Sequence, residues 1–180
     1  MAEKLIFGQK YFLKENISGT ENSECSFMAL LLKNSFRFIF DVEDREIVSP
    51  YFSDNEDIYN ADAVEVFISA DGDLTKYKEL EVSPFGVRFY AQIRNEDGVS
   101  PIAVKENPVF IANSFETENG YRVIIDLPFS AIGVKNLSSI RLNAFRLDKR
   151  ANGEQLLYAL NPTLCDKFHR PKYFVGVSEK

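Results

Sequence analysis

Apolar residues recur at every second position along most of this chain, and a period of two is the signature of strands with one buried face. The run "SFMALLLKNSFRFIFDVED" sets Phe36, Phe38, Phe40 and Val42 on one face after a tight turn at Lys33, Asn34 and Ser35, which predicts a hairpin. Met28, in its first strand, reads as core. "YKELEVSP" turns Leu80 and Val82 inward, and "GVRFYAQIRN" alternates Val87, Phe89, Ala91 and Ile93 with Arg88, Tyr90, Gln92 and Arg94. "GYRVIIDLP" aligns Tyr121, Val123, Ile125 and Leu127, while "SIRLNAFRLDK" and "EQLLYALNP" predict two strands around a turn at Ala151, Asn152 and Gly153. "PFSAIG" has room only for a helical turn. About eight strands with turn signals between them and no long amphipathic helix predict an all-β fold. The expected form is an antiparallel β-sandwich, immunoglobulin-like or jelly-roll-like, that buries Phe36, Phe38, Phe40, Val64, Val66, Ile68, Val123 and Ile125.

With 180 residues, 45% of them hydrophobic, and no Pro/Gly/Ser-rich divider, residues 1–180 read as one domain. An excess of 27 acidic over 21 basic residues, net −6, argues against nucleic acid or an anionic membrane as partner and favours a neutral or cationic ligand. The N-terminus lacks the plan of a signal peptide, and no run approaches the roughly 20 apolar residues of a membrane span. The expected location is cytoplasmic as written, or extracellular if a signal peptide has been removed. Two distant cysteines, Cys25 and Cys165, and one histidine, His169, provide neither a disulfide framework nor a closed zinc site. No cofactor is expected, and a structural calcium ion is the only metal the acids suggest.

The stretch "IYNADAVEVFIS", Ile58 to Ser69, carries the chemistry. Glu65 and Phe67 alternate with the inward-facing Val64, Val66 and Ile68, so they face either solvent or a concave second face of the sheet. Glu79 and Glu81 share one face of the next strand. Three acids on neighbouring strands repel unless sugar hydroxyls, Arg88 or Arg94, or a calcium ion offset them. A carboxylate accepts several charge-assisted hydrogen bonds from adjacent sugar hydroxyls, and aromatic rings such as Tyr59 and Phe168 pack on the C–H face of a pyranose. Asn143 lies on the strand face of Phe145 and Leu147, where it reaches a ligand if that face is concave or bonds a neighbouring turn if not. Asp71 and Asp73 have the spacing of calcium ligands but read as a hairpin turn. His169 reads as a loop residue.

Five segments in order, "FRFIFDVEDREI", "YNADAVEVFISADGD", "YKELEVSPFG", "GYRVIIDLPFSAIG" and "NPTLCDKFHRPKYFVG", resemble the family 9 carbohydrate-binding modules from about Phe27 to Val177. The resemblance implies a β-sandwich that binds a mono- or oligosaccharide without cleaving it, next to a separate carbohydrate-active enzyme. It places the two ring positions that clamp the sugar at Tyr59 and Phe168, where the family more often has tryptophan; this chain has none. The hydrogen-bonding acid falls on Glu65, and Glu81 stands where some sugar-binding members carry arginine. The expected ligand set is therefore Tyr59, Glu65, Glu81, Asn143 and Phe168, with no catalytic or metal-binding residue. A structural or protein-interaction sandwich that has lost sugar binding is the main alternative. A glycosidase is weighed on its paired carboxylates, and a haem carrier on Met1, Met28 and His169.

Overall fold

A computed structural model describes residues 4–179; Met1, weighed above as a haem ligand, lies outside them. Fourteen strands follow in chain order: β1 (Leu5–Ile6), β2 (Lys10–Phe12), β3 (Lys14–Glu15), β4 (Cys25–Leu31), β5 (Ser35–Glu43), β6 (Ala63–Ser69), β7 (Lys76–Val82), β8 (Arg88–Arg94), β9 (Ile102–Lys105), β10 (Ile111–Thr117), β11 (Gly120–Pro128), β12 (Arg141–Lys149), β13 (Gln155–Ala159) and β14 (Val175–Ser178). The only α-helix among the described residues, α1 (Phe129–Ile132), is the single turn expected at "PFSAIG", closed by Gly133 in the left-handed conformation.

Two sheets form a β-sandwich. The larger has the order β1-β14-β12-β6-β7-β8-β9, with β13 also on β12 and β3 on β13; the smaller has the order β10-β11-β5-β4-β2. Every pairing is antiparallel except that of β1 with β14. Between the sheets lies the main core, where Phe36, Phe38, Phe40, Val64, Val66, Ile68, Val123 and Ile125 are all fully buried. Met28 departs from its core reading: it sits half-buried on the other face of β4, where the alternation that buries Phe27 and Ala29 places it. The core also encloses a charge, Arg146 on β12, which pairs with Asp44 at 3.2 Å and Asp148 at 3.3 Å. Asp44 follows β5, so this pair fixes the start of the long segment that leads to β6.

That segment matters because β6 is buried on both faces along its whole length. Its second face, with those of β7, β8 and β12, carries a separate apolar layer that includes Phe67, Tyr77, Phe89, Phe145, Phe168 and Phe174. Two loops cover it. Residues 44–62 are held by Asp62, whose carboxylate accepts from the Val48 amide at 2.5 Å and the Lys149 amide at 2.6 Å, and by Asn55, which bonds the Tyr90 amide at 3.0 Å and the Glu106 carbonyl at 2.9 Å. Residues 160–174 are held by Asn16, which donates to the Thr163 hydroxyl at 2.8 Å and the Cys165 carbonyl at 2.7 Å.

Gly120 opens β11 where it meets the end of β5. A Cβ there would stand 2.1 Å from the Val42 carbonyl oxygen, a backbone atom with no flexible end to move aside. Gly120→Ala is expected to cost about 2–3 kcal/mol. Tm should fall by about 2–4 °C for each of those kcal/mol in thermal denaturation; an unchanged Tm would show that this corner relaxes freely.

Candidate functional site

The register of the larger sheet assembles the site. Across β6 and β7, Glu65 pairs with Glu81 and Phe67 with Glu79; across β12 and β6, Phe145 pairs with Glu65 and Asn143 with Phe67. Paired residues share a face, so Glu65, Glu79, Glu81, Phe67, Phe145 and Asn143 all project into the second layer. Glu65, Glu79 and Glu81 can each bring one carboxylate oxygen within 4.8 Å of the others. None faces bulk water: their exposures are 2%, 5% and 0%.

Burial pushes the Glu65 carboxyl well above the usual carboxylate range, and the neighbouring Glu81 and Glu79 push it further. Glu81 is raised for the same reasons, burial first and Glu79 second. No N–H or hydroxyl donates to either Glu81 oxygen, so the neighbouring carboxyls of Glu65 and Glu79 are its hydrogen-bonding partners when protonated. The arginines that sequence suggested as counter-charges are elsewhere: Arg88 forms an ion pair with Asp54 at 2.5 Å, and Arg94 is exposed. Lys105 is bound to Asp57 at 2.6 Å and the Asn55 carbonyl at 3.0 Å, and lies over the Phe89 ring. His169, beside Phe168, is in ion-pair range of the cluster, with Nε2 3.7 Å from Glu79 Oε1, and Lys105 acts on Glu81 from farther off. The His169 ring stacks on Phe67, Nδ1 contacts the Tyr77 hydroxyl at 2.9 Å, and burial lowers its pKa against the opposing pull of Glu79.

The remaining expected ligands occupy distinct places. Tyr59 sits on a short 3-10 turn, Ile58–Asn60, whose Ile58 is buried as an anchor. Its ring meets Phe89 edge-on and is 38% exposed. The pKa of the Tyr59 hydroxyl is pushed up to about 12 by burial, by its bond to Asp57 and by the charges of Glu81 and Glu79; the Phe89 ring it meets is on the strand position opposite Glu81. Phe168 packs face to face on Phe145, centroids 4.1 Å apart, and is 8% exposed, so it lends a ligand an edge rather than a face. Asn143 fastens a loop: its amide donates to the Asn161 carbonyl at 2.8 Å and its oxygen accepts from the Asn161 amide at 3.0 Å. Asp71 accepts from the Asp73 amide at 3.0 Å, as its turn reading requires. His169 was not foreseen as part of this cluster; a lone loop histidine carries no periodic signal.

Because Glu65 and Glu81 titrate above their unfolded value of 4.5, the folded chain retains protons that the unfolded chain releases. Stability is therefore full below about pH 4.5 and declines as pH rises toward the folded pKa values. Glu81→Gln removes part of that decline. Its Tm should match wild type near pH 4 and exceed it by about 2–4 °C per kcal/mol recovered at pH 7. A variant that melts below wild type at pH 7 would show that Glu81 is stably ionised and compensated.

Comparison with known proteins fits this architecture. The family described as carbohydrate family 9 binding domain-like matches residues 7–177. A candidate carbohydrate-binding protein of Bacteroides uniformis superposes with a TM-score of 0.75 at 16% identity, over 96% of this chain and 86% of that one. A family 9 carbohydrate-binding module of Caldicellulosiruptor kristjanssonii in complex with cellotriose gives 0.64 at 13% identity, over 98% and 92%. A module of that family and organism in complex with glucose gives 0.61 at 13%, over 94% and 84%. No curated protein sequence matches the chain. With a match across nearly its whole length, the chain belongs to the carbohydrate family 9 binding domain-like family.

Proposed function

We propose that the protein binds a mono- or oligosaccharide without cleaving it, with Glu65 and Glu81 as hydrogen-bond acceptors and Tyr59 as the aromatic platform. The observation that carries this reading is the buried Glu81 carboxyl, which accepts from no N–H, hydroxyl or cation and lies on the sheet opposite Phe89, the ring that the partly exposed Tyr59 meets edge-on. Buried acceptors without donors cost free energy, and sugar hydroxyls are donors of the right kind. Family membership and the folds that hold cellotriose and glucose support the same ligand class. Phe168 contributes through Phe145, holding the floor beside Glu65, and Asn143 through the loop it fastens. All three carboxyls belong to one buried cluster, which suits binding better than the separated acid and base of an inverting glycosidase.

The test is a panel of mono- and oligosaccharides read by NMR at millimolar concentration. Shifts should centre on Tyr59, Glu65 and Glu81. Glu65→Gln should weaken binding about tenfold, the scale of one charge-assisted hydrogen bond, with the fold retained. Tyr59→Ala should weaken it through lost ring contact. If no sugar moves these resonances, the domain serves as an interaction or structural sandwich instead.

A further inference from the structure

The first face of the larger sheet, the one turned to the main core, is covered along only part of its length. Val66, Leu80 and Tyr90, aligned across β6, β7 and β8, are buried in that core. Two residues farther along the strands, Ile68, Lys78, Gln92 and Val104 continue the same face, and only Ile68 stays fully buried. Lys76, Arg94 and Ile102 form the next row. Together with Ile132 of α1, these two rows line a cleft of about 580 Å³, a size that suits a small ligand. It lies on the opposite face of the sheet from Glu65, Glu79 and Glu81.

The cleft holds cations that the chain itself does not neutralise. Lys76 stands directly opposite Arg94 across β7 and β8, and like charges so placed are destabilising unless an anion offsets them. Among the described residues, neither Arg94 nor Lys78 has an ion-pair partner, and Lys76 reaches only Asp73, at 3.9 Å. Burial lowers the Lys78 pKa against the pull of Glu106, so this ammonium has lost water without gaining a contact to balance it. The two acids of the cleft are engaged by neighbours: Asp71 accepts from the Asp73 amide at 3.0 Å, and Glu106 from the Gln92 side-chain amide at 2.5 Å. Three cations against two acids make the lining net positive, the reverse of the chain as a whole at −6.

We propose that this cleft is a second, anion-selective binding site and that its ligand is an acidic oligosaccharide, a chain of uronic acid residues. The ligand class rests on the carbohydrate-binding reading; the site stands on its own residues. Side chains directly opposite each other in a ladder have Cβ atoms about 4.5–5.5 Å apart, so one carboxylate can bridge Lys76 and Arg94, the arginine binding it through two N–H groups. Lys78, two residues along β7, offers a second anion contact about 7 Å away. Ile102 and Val104, 64% and 58% exposed on the same face, supply aliphatic surface for the C–H side of a sugar ring. The cations stand on β7 and β8, about 5–10 Å inside the edge strand β9. A ligand that meets them lies across the face of the sheet, which favours a sugar chain over a peptide that adds a strand to the edge.

The full chain is titrated at pH 7 and low salt with a trimer of galacturonic acid, the neutral trimer of galactose and a hexaglutamate peptide, each followed by the amide resonances of Lys76, Lys78, Gln92 and Arg94. The acidic trimer should shift these resonances and bind about tenfold or more tighter than the neutral one, the scale of an added charge-assisted hydrogen bond. Arg94→Gln and Lys78→Gln should each weaken it about tenfold, while neutral-sugar shifts at Tyr59 and Glu65 stay as in wild type. Absence of shifts at the cleft with the acidic trimer, or equal affinity for both trimers there, would overturn the anion site and leave the Tyr59 and Glu65 site standing. Binding of the acidic trimer at the cleft with no neutral sugar at Tyr59 would support the new site and remove the other. Hexaglutamate that binds as tightly and loses as much in the two variants would overturn the saccharide assignment in favour of an acidic peptide.

Discussion

One antiparallel register, β6 against β7, governs the second face of this sandwich, because it sets Glu65 directly opposite Glu81. Like charges facing each other across a ladder are destabilising even at a surface. Here they are covered. The sheet cannot slip to relieve them: a shift of one residue would send Val64, Val66 and Ile68 out of the main core and bring the acids into it. The hydrophobic core thus enforces a local electrostatic conflict, and the chain must hold a proton or a ligand there.

The other buried charge cluster shows what a purely structural solution looks like. Arg146 lies among Asp44 and Asp148, and Asp148 also meets Arg150 at 2.8 Å, so acids and bases alternate. That network ties β12 to the segment after β5. The glutamate triad has no such close arginine: Lys105, paired with Asp57, acts on Glu81 only from a distance, and His169 stands 3.7 Å from Glu79. Asn143, Asn55 and Asn16 instead fasten the covering loops through side-chain bonds to backbone groups, which keeps the cover in place without neutralising the floor. Fixed surroundings with an uncompensated centre are what distinguish a recognition site from a core defect.

Much of the fold was legible because burial and alternation coincide. Phe36, Phe38 and Phe40, or Tyr121, Val123 and Ile125, announce their strands and their inward face together. Edge strands broke that link. In β10 the apolar Ile111 and Phe115 point outward while Ala112 and Ser114 face in, and in β9 every residue is exposed, so neither carried a readable pattern. The parallel pairing of β1 with β14 joins the two ends of the chain and leaves no local trace. At the site, alternation revealed that Glu65, Glu79 and Glu81 turn from the core. It could not reveal that they are buried, since the cover comes from distant loops. Phe168 on Phe145, His169 beside Glu79 and the retreat of Lys105 to Asp57 are tertiary facts of the same kind.

The central claim is that Glu65 and Glu81 hold protons when the site is empty and exchange them for a ligand's donors when it is filled. Direct titration of the side-chain carboxyl carbons of Glu65, Glu79 and Glu81 by NMR tests it. In the free protein, Glu65 and Glu81 should remain protonated well above the ordinary carboxylate range, and saturation with a bound sugar should draw their titration downward. Ordinary titration of Glu65 and Glu81 near pH 4.5 in the free protein would contradict the account, because these acids would then be ionised without cost and would need no ligand to satisfy them.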